Sequence, residues 1–128
     1  MYGRVIVPPA VRREVGSVRL EPWILERPLT ATVDPRVLGA GLHTGETEAI
    51  ALATELGAAR VVIDDRRARA VAETLGLAVV GTVGVIVAAK RLSLIDAVRP
   101  TLQAMIAAGF YVAPSVVDRA LAQSGEAE

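Results

Sequence analysis

The chain has 128 residues, 52% of them hydrophobic, and its fourteen acids balance fourteen Lys and Arg side chains. That length and apolar content build the core of one domain, residues 1–128 as a single unit, and zero formal charge excludes an overall basic field as the means of holding a polyanion. The lack of Cys excludes disulfides, thiolate catalysis and sulfur-ligated metals, and no apolar run approaches the roughly 20 residues of a membrane helix.

Thirteen of the fourteen bases are Arg, with Lys90 the exception. That bias suits bidentate contacts to carboxylate or phosphate, and genomic base composition explains it equally well. With no signal peptide visible, a cytoplasmic protein is the default expectation.

In chain order, Arg4-Val5-Ile6-Val7 reads as a β-branched strand stopped by Pro8-Pro9, and a proline at a first helical position suits the helix that follows. On that helix Val11, Glu14 and Val15 share a face, so Glu14 points where apolar positions should meet the core. It either pairs with Arg12 or Arg13 at the surface or serves a site. Trp23-Ile24-Leu25, between Pro22 and Pro28, reads as an edge strand, with Trp23 in the core or as a lid over it. Asp34-Pro35 starts a helix or turn, and Gly39-Ala40-Gly41 breaks the chain before the central segment. His43 stands alone, without a second ligand or a nucleophile at motif spacing.

The central helix is expected from Gly45 to Gly57, with Thr44 as its cap and Gly57 as its stop. At about 100° per residue, Ala49, Ile50, Leu52, Ala53 and Leu56 make an apolar arc, and Glu46 lies nearer its middle than Glu48. Glu46 in the first turn also suits the positive end of the helix dipole. Val61-Val62-Ile63 lacks polar alternation and reads as a strand buried on both faces. Asp64 and Asp65 fall where that strand stops, and the crevice at the carboxyl ends of strands is where open α/β sheets bind ligands.

Arg66-Arg67-Ala68-Arg69 then opens a second helix. Its positive charge opposes the helix dipole, so these arginines should pair with acids or meet a phosphate. Leu77 to Val80 is another buried strand. Gly81-Thr82-Val83-Gly84 opens the next helix with Thr82 as a candidate cap, and such a turn could also present N–H groups to phosphate, although it fits no nucleotide fingerprint. Two further helices, about 95–108 and 115–122, should cover the sheet. Strands alternating with helices predict a parallel sheet in a layered α/β domain.

Four segments together, V-P-P-A-V-R-R-E-V at 7–15, G-E-T-E-A-I-A-L-A at 45–53, V-I-D-D-R-R-A-R at 62–69 and G-T-V-G-V at 81–85, resemble PIN-like domains. More narrowly, they resemble a prokaryotic branch of predicted nucleic-acid-binding PIN proteins. The resemblance implies a layered α/β/α fold with a mostly parallel sheet and a metal-dependent endoribonuclease of the toxin–antitoxin kind. Carboxylates would hold Mg²⁺ or Mn²⁺, hard cations that take oxygen ligands and activate water for phosphodiester displacement. Matched residue by residue, Glu14, Asp65 and either Glu46 or Glu48 are the implied metal ligands, with Asp64 an additional candidate. Arg66, Arg67 and Thr82 are the implied contacts to single-stranded RNA, and an antitoxin is a possible partner.

The family pattern also begins with a central strand ending in Asp and a following helix, and neither precedes the segment matching Arg4 to Val7 here. Either the start at Met1 is too late or the chain is a reduced relative, and in a reduced relative the strand edges beside that gap are expected to re-pair or to be covered in a homodimer. Two alternatives to the nuclease are a catalytically weak PIN-like module acting by dimerisation or partner binding, and a small nucleotide- or phosphate-binding domain using the Gly81 to Gly84 turn.

Overall fold

The β-branched run after Arg4 becomes β1 (Val5–Val7), and Pro9 opens α1 (Pro9–Val15), in a computed structural model that describes residues 3–17 and 19–127. Met1 and Tyr2, which precede the first matched segment, lie outside the described residues. The helix crosses over to β2 (Ile24–Glu26), which pairs in parallel with β1, Val5 opposite Ile24 and Val7 opposite Glu26. A parallel return needs such a crossover, because a tight hairpin can only reverse the chain. Trp23, expected in the core or as a lid, is 52% exposed beside this pair. Trp23 immediately precedes the first residue of β2.

Asp34 accepts the backbone N–H of Arg36 at 2.8 Å and caps α2 (Pro35–Leu38), as its Asp-Pro sequence predicts. The long helix α3 (Thr44–Leu56) follows. His43, not Thr44, stands at its N-cap position, and no side chain caps it there. Gly57 closes α3 at φ 61°, ψ 40°, the left-handed conformation that a side chain would strain. Near its end, Glu55 accepts the N–H groups of Thr30 and Ala31, and these bonds hold its carboxyl below the ordinary range.

The second parallel pair is β3 (Val61–Val62) with β4 (Val79–Val80), joined through α4 (Arg66–Thr74). Ile50 and Ala53 of α3 meet Val61, Ile63, Ala68 and Ala72 in one buried cluster. Burying a side chain of Ile50's size contributes about 1.5–3 kcal/mol, which outweighs any single cap in this region. Val62 departs from the expectation of a strand buried on both faces. It is 51% exposed, because Val61 and Ile63 take the covered face of β3 and Val62 points to the opposite one.

The strands are parallel, as the sequence predicts, and the fold is α/β. They form two separate two-stranded sheets, β1-β2 and β3-β4, instead of one continuous sheet. The described residues also fall into two compact units, one within Tyr2–Val80 and one within Gly81–Glu128.

The second unit is helical, with α5 (Thr82–Arg91), α6 (Arg99–Ala107) and α7 (Pro114–Gln123). Ile86, Val87, Val98, Leu102 and Ala120 form its core. Gly81 takes the cap position expected for Thr82, which is already the first residue of α5, and Gly84 lies inside that helix. Glu126 accepts the N–H groups of Val98 at 2.8 Å and Arg99 at 3.1 Å, and its Oε2 lies 3.1 Å from Lys90 Nζ. Those donors lower its carboxyl from an ordinary 4.5 to about 2, the Val98 bond contributing most.

Candidate functional site

The predicted acids gather around the start of α3, but on two sides of it. Gly45, Glu48, Ala49 and Leu52 recur three and four residues apart and turn one side toward α1. There Ala10 N–H donates to Glu48 Oε1 at 2.9 Å, and Glu48 Oε2 lies 3.8 Å from Arg13 Nη2. Glu48 thus supplies an acceptor to one of the orphan donors at the start of α1, where negative charge is favourable. Arg13 therefore pairs with Glu48, and Arg12 donates to the carbonyl of Gly16 at 2.6 Å. Neither pairs with Glu14 as the surface alternative for that residue expected.

Glu14 instead lays its carboxylate against the first turn of α3. A Cβ built on Gly45 would collide with Glu14 Oε1 and come within 2.9 Å of Cδ. Gly45 is buried, so the carboxylate approaches the helix backbone only because that residue has no side chain. The site's dependence on Gly45 was missed from sequence. Its signal was a glycine in the first helical turn, flanked by acids at the next and third positions.

Glu46 belongs to the other side of α3. It precedes Ile50 by one turn and Ala53 by two, and both of those face β3 and α4. Glu46 and Glu48 are both half-buried. Asp65 follows β3 and caps α4, with Oδ2 accepting Ala68 N–H at 2.9 Å. That cap places a negative charge where Arg66 and Arg67 would otherwise oppose the helix dipole. Asp64, beside it, is exposed.

The acids thus divide into Glu14 with Glu48 toward α1, and Glu46 with Asp64 and Asp65 toward β3 and α4. Among the described residues, no three of His, Cys, Asp and Glu stand close enough to hold a metal ion together. Oxygen donors of the right kind are present, yet their arrangement does not fit a divalent-cation cage, which needs several of them on one point.

Arg66 and Arg67 are exposed at the start of α4, and neither has an ion-pair partner among the described residues. The Arg67 guanidinium reaches back to within 3.9 Å of the position a Cβ would take on Gly41, in the turn before α3. A guanidinium is a planar fork of donors of the kind that pairs with phosphate. Thr82 stands in the other unit, at the start of α5.

A family model described as PIN domain matches residues 1–126. No curated protein and no solved structure matches the chain significantly. No helix among the described residues is long and apolar enough to cross a membrane.

Proposed function

Because the chain belongs to the PIN-domain family, we propose that it acts on single-stranded RNA as a nuclease-type module whose cleavage machinery is incompletely assembled in the single chain. The family is nuclease-like and generally depends on a divalent metal. Mg²⁺ or Mn²⁺ is the ion this reading assigns, on the chemistry of an all-oxygen donor set. The observation that carries the proposal is the division of the acids into two groups with no three of them together.

The chain's own residues then have separable roles. Arg66 and Arg67 bind the phosphate backbone, with Arg67 oriented by its packing on Gly41. Glu48 links α1 to α3 through the Ala10 N–H, and Glu14 packs against Gly45 in the first turn of α3. Asp65 orders the start of α4, and so the base from which Arg66 and Arg67 project.

The test combines binding and cleavage of a mixed single-stranded RNA in Mn²⁺, beside Asp65→Asn and a chelator control. The expected result is salt-dependent RNA binding that weakens on replacing Arg66 and Arg67 with Ala, and little cleavage above the chelator control. Losing two phosphate contacts should lower the log–log salt slope by about 1.4, at roughly 0.7 per contact on a single strand. Turnover that requires both the metal and Asp65 would show a complete site in the isolated chain, and would replace this reading with a fully active ribonuclease.

A further inference from the structure

The last turn of α3 carries its charge against the helix dipole. Glu55 stands one residue from the end of that helix, where the dipole favours a cation, and no base occupies the last turn. Its Oε1 accepts the N–H groups of Thr30 at 2.9 Å and Ala31 at 2.6 Å, which ties the segment after Pro28 to α3. No Lys or Arg pairs with it among the described residues. The carboxylate is thus held by neutral donors, and its charge is left without a counter-charge.

Beside it lies a pocket of about 320 Å³ between segment 31–37 and α3. Val33, Pro35, Val37 and Ala51 give it apolar walls, Asp34 and Glu55 are its charged residues, and no base lines it. Asp34 is taken up by Arg36, through a 2.9 Å ion pair and the Arg36 N–H, so Glu55 sets the sign. The Thr54 hydroxyl donates to the carbonyl of Ile50, which leaves only its lone pairs for a ligand. The Ala31 N–H is already bonded to Glu55. Negative charge, acceptors and aliphatic walls are what this pocket presents. We infer that it binds a small aliphatic cation, an ammonium or guanidinium group on a short alkyl chain, whose head donates to Glu55 and whose chain lies against Val33 and Ala51.

Size and donors narrow the class. About 320 Å³ stands at the lower end of small-molecule pockets, roughly 300–1,000 Å³, and suits one short chain. A metal ion fits less well, since no three potential ligands stand together among the described residues. A quaternary ammonium fits less well, because it brings no N–H and no aromatic ring lines the pocket. A peptide fits less well too. The lining residues belong to α2, α3 and the loop before α2, so no strand edge offers a peptide main-chain bonds. Arg66, Arg67 and the acids of the nuclease reading are absent from the lining, and binding here needs neither metal nor RNA.

The experiment titrates butylguanidinium into the full chain by ligand-observed NMR, in chelator and without RNA. Methylguanidinium tests the need for the chain, and pentanoate tests the need for the positive charge. The expected outcome is saturable binding, about tenfold tighter for the butyl than for the methyl compound, as partial burial of the added methylenes predicts. Pentanoate should not bind. Glu55→Gln keeps an acceptor for the Thr30 and Ala31 N–H groups while removing the charge, and should weaken binding about tenfold, as loss of a charged hydrogen bond predicts. Ala51→Leu should weaken it about as much by filling the pocket from its wall, and takes the place of Glu55→Gln if that variant does not fold. No saturable binding overturns the proposal, as does equal affinity for the methyl compound or for pentanoate, or unchanged affinity in a folded variant. Binding of a capped arginine peptide that butylguanidinium cannot displace would give the pocket to a partner protein's side chain instead.

Discussion

The helical unit gathers its strongest fastening on one carboxylate, and the strand-bearing unit spreads such bonds over several. In the helical unit Glu126 is bound to two backbone N–H groups at the start of α6 and to Lys90. Every visible contact is structural, and its carboxyl is held at about 2 for that reason. In the strand-bearing unit Glu48 joins α3 to the start of α1, Asp65 caps α4, and Glu14 lies against Gly45. A carboxylate that completes a helix end is a fastening, as Glu126 is at α6, Glu48 at α1 and Asp65 at α4, whereas Glu14 is exposed and lies against a glycine. The same residue type thus signals different things at different places, and its hydrogen-bond partners tell them apart.

The largest expected effects test whether the two regions are independent. Ile50→Ala and Leu102→Ala each empty a fully buried position, one in each unit, and each should cost about 2–5 kcal/mol in chemical denaturation. Trp23, the chain's single tryptophan, reports on the strand-bearing unit. If Leu102→Ala moves the Trp23 fluorescence transition as far as Ile50→Ala does, the two regions unfold as one and the contrast is local only.

Acid titration should then distinguish the two kinds of carboxylate. Glu126 is depressed in the folded state, so its stabilisation is fully present above its ordinary 4.5 and is lost as pH falls toward about 2. Glu126→Gln should remove that part of the acid dependence, with its greatest effect at neutral pH and almost none at pH 2. Thermal melts across this range check it. A variant that melts like the wild type at pH 7 would show that the fastening contributes nothing.

Asp65 offers a smaller and more selective test. Asp65→Ala should cost about 1 kcal/mol through the lost α4 cap, while Asp65→Asn, whose side chain also caps, should cost only a few tenths. RNA binding that falls in Asp65→Asn at unchanged stability would give this residue a role beyond capping. The smallest stability effect is expected at Gly45. Alanine gains up to about 1 kcal/mol of helix propensity and displaces the flexible end of Glu14, so Gly45→Ala should melt no lower than the wild type. Clear destabilisation would show that the Glu14 carboxylate is held more firmly than its exposure suggests.

Much of the fold was legible locally. Pro9 at a helix start, Asp34 as a cap, Gly57 as a left-handed stop and the apolar runs at Val5 and Val61 all act within a few residues of themselves. The family resemblance was legible in the same way, as four short segments in order, and the family match covers residues 1–126. The site was less legible. Glu14 was placed on the right face of α1, but its neighbour proved to be Gly45, thirty-one positions on, and Arg13 went to Glu48. Such pairings depend on how α1 lies against α3, which helix periodicity does not contain.

By itself the sequence determined the order and kind of the elements, the parallel sense of strands separated by helices, and the location of acids at strand and helix ends. These follow from backbone sterics, capping and hydrophobic period, all short-range. Tertiary structure decided that the strands form two pairs, that Val62 and Trp23 stay exposed, and that the acids divide across α3. Edge pairing and side-chain convergence are settled by competition among distant segments for the same backbone groups and the same apolar surface. A local pattern carries no record of which segment wins.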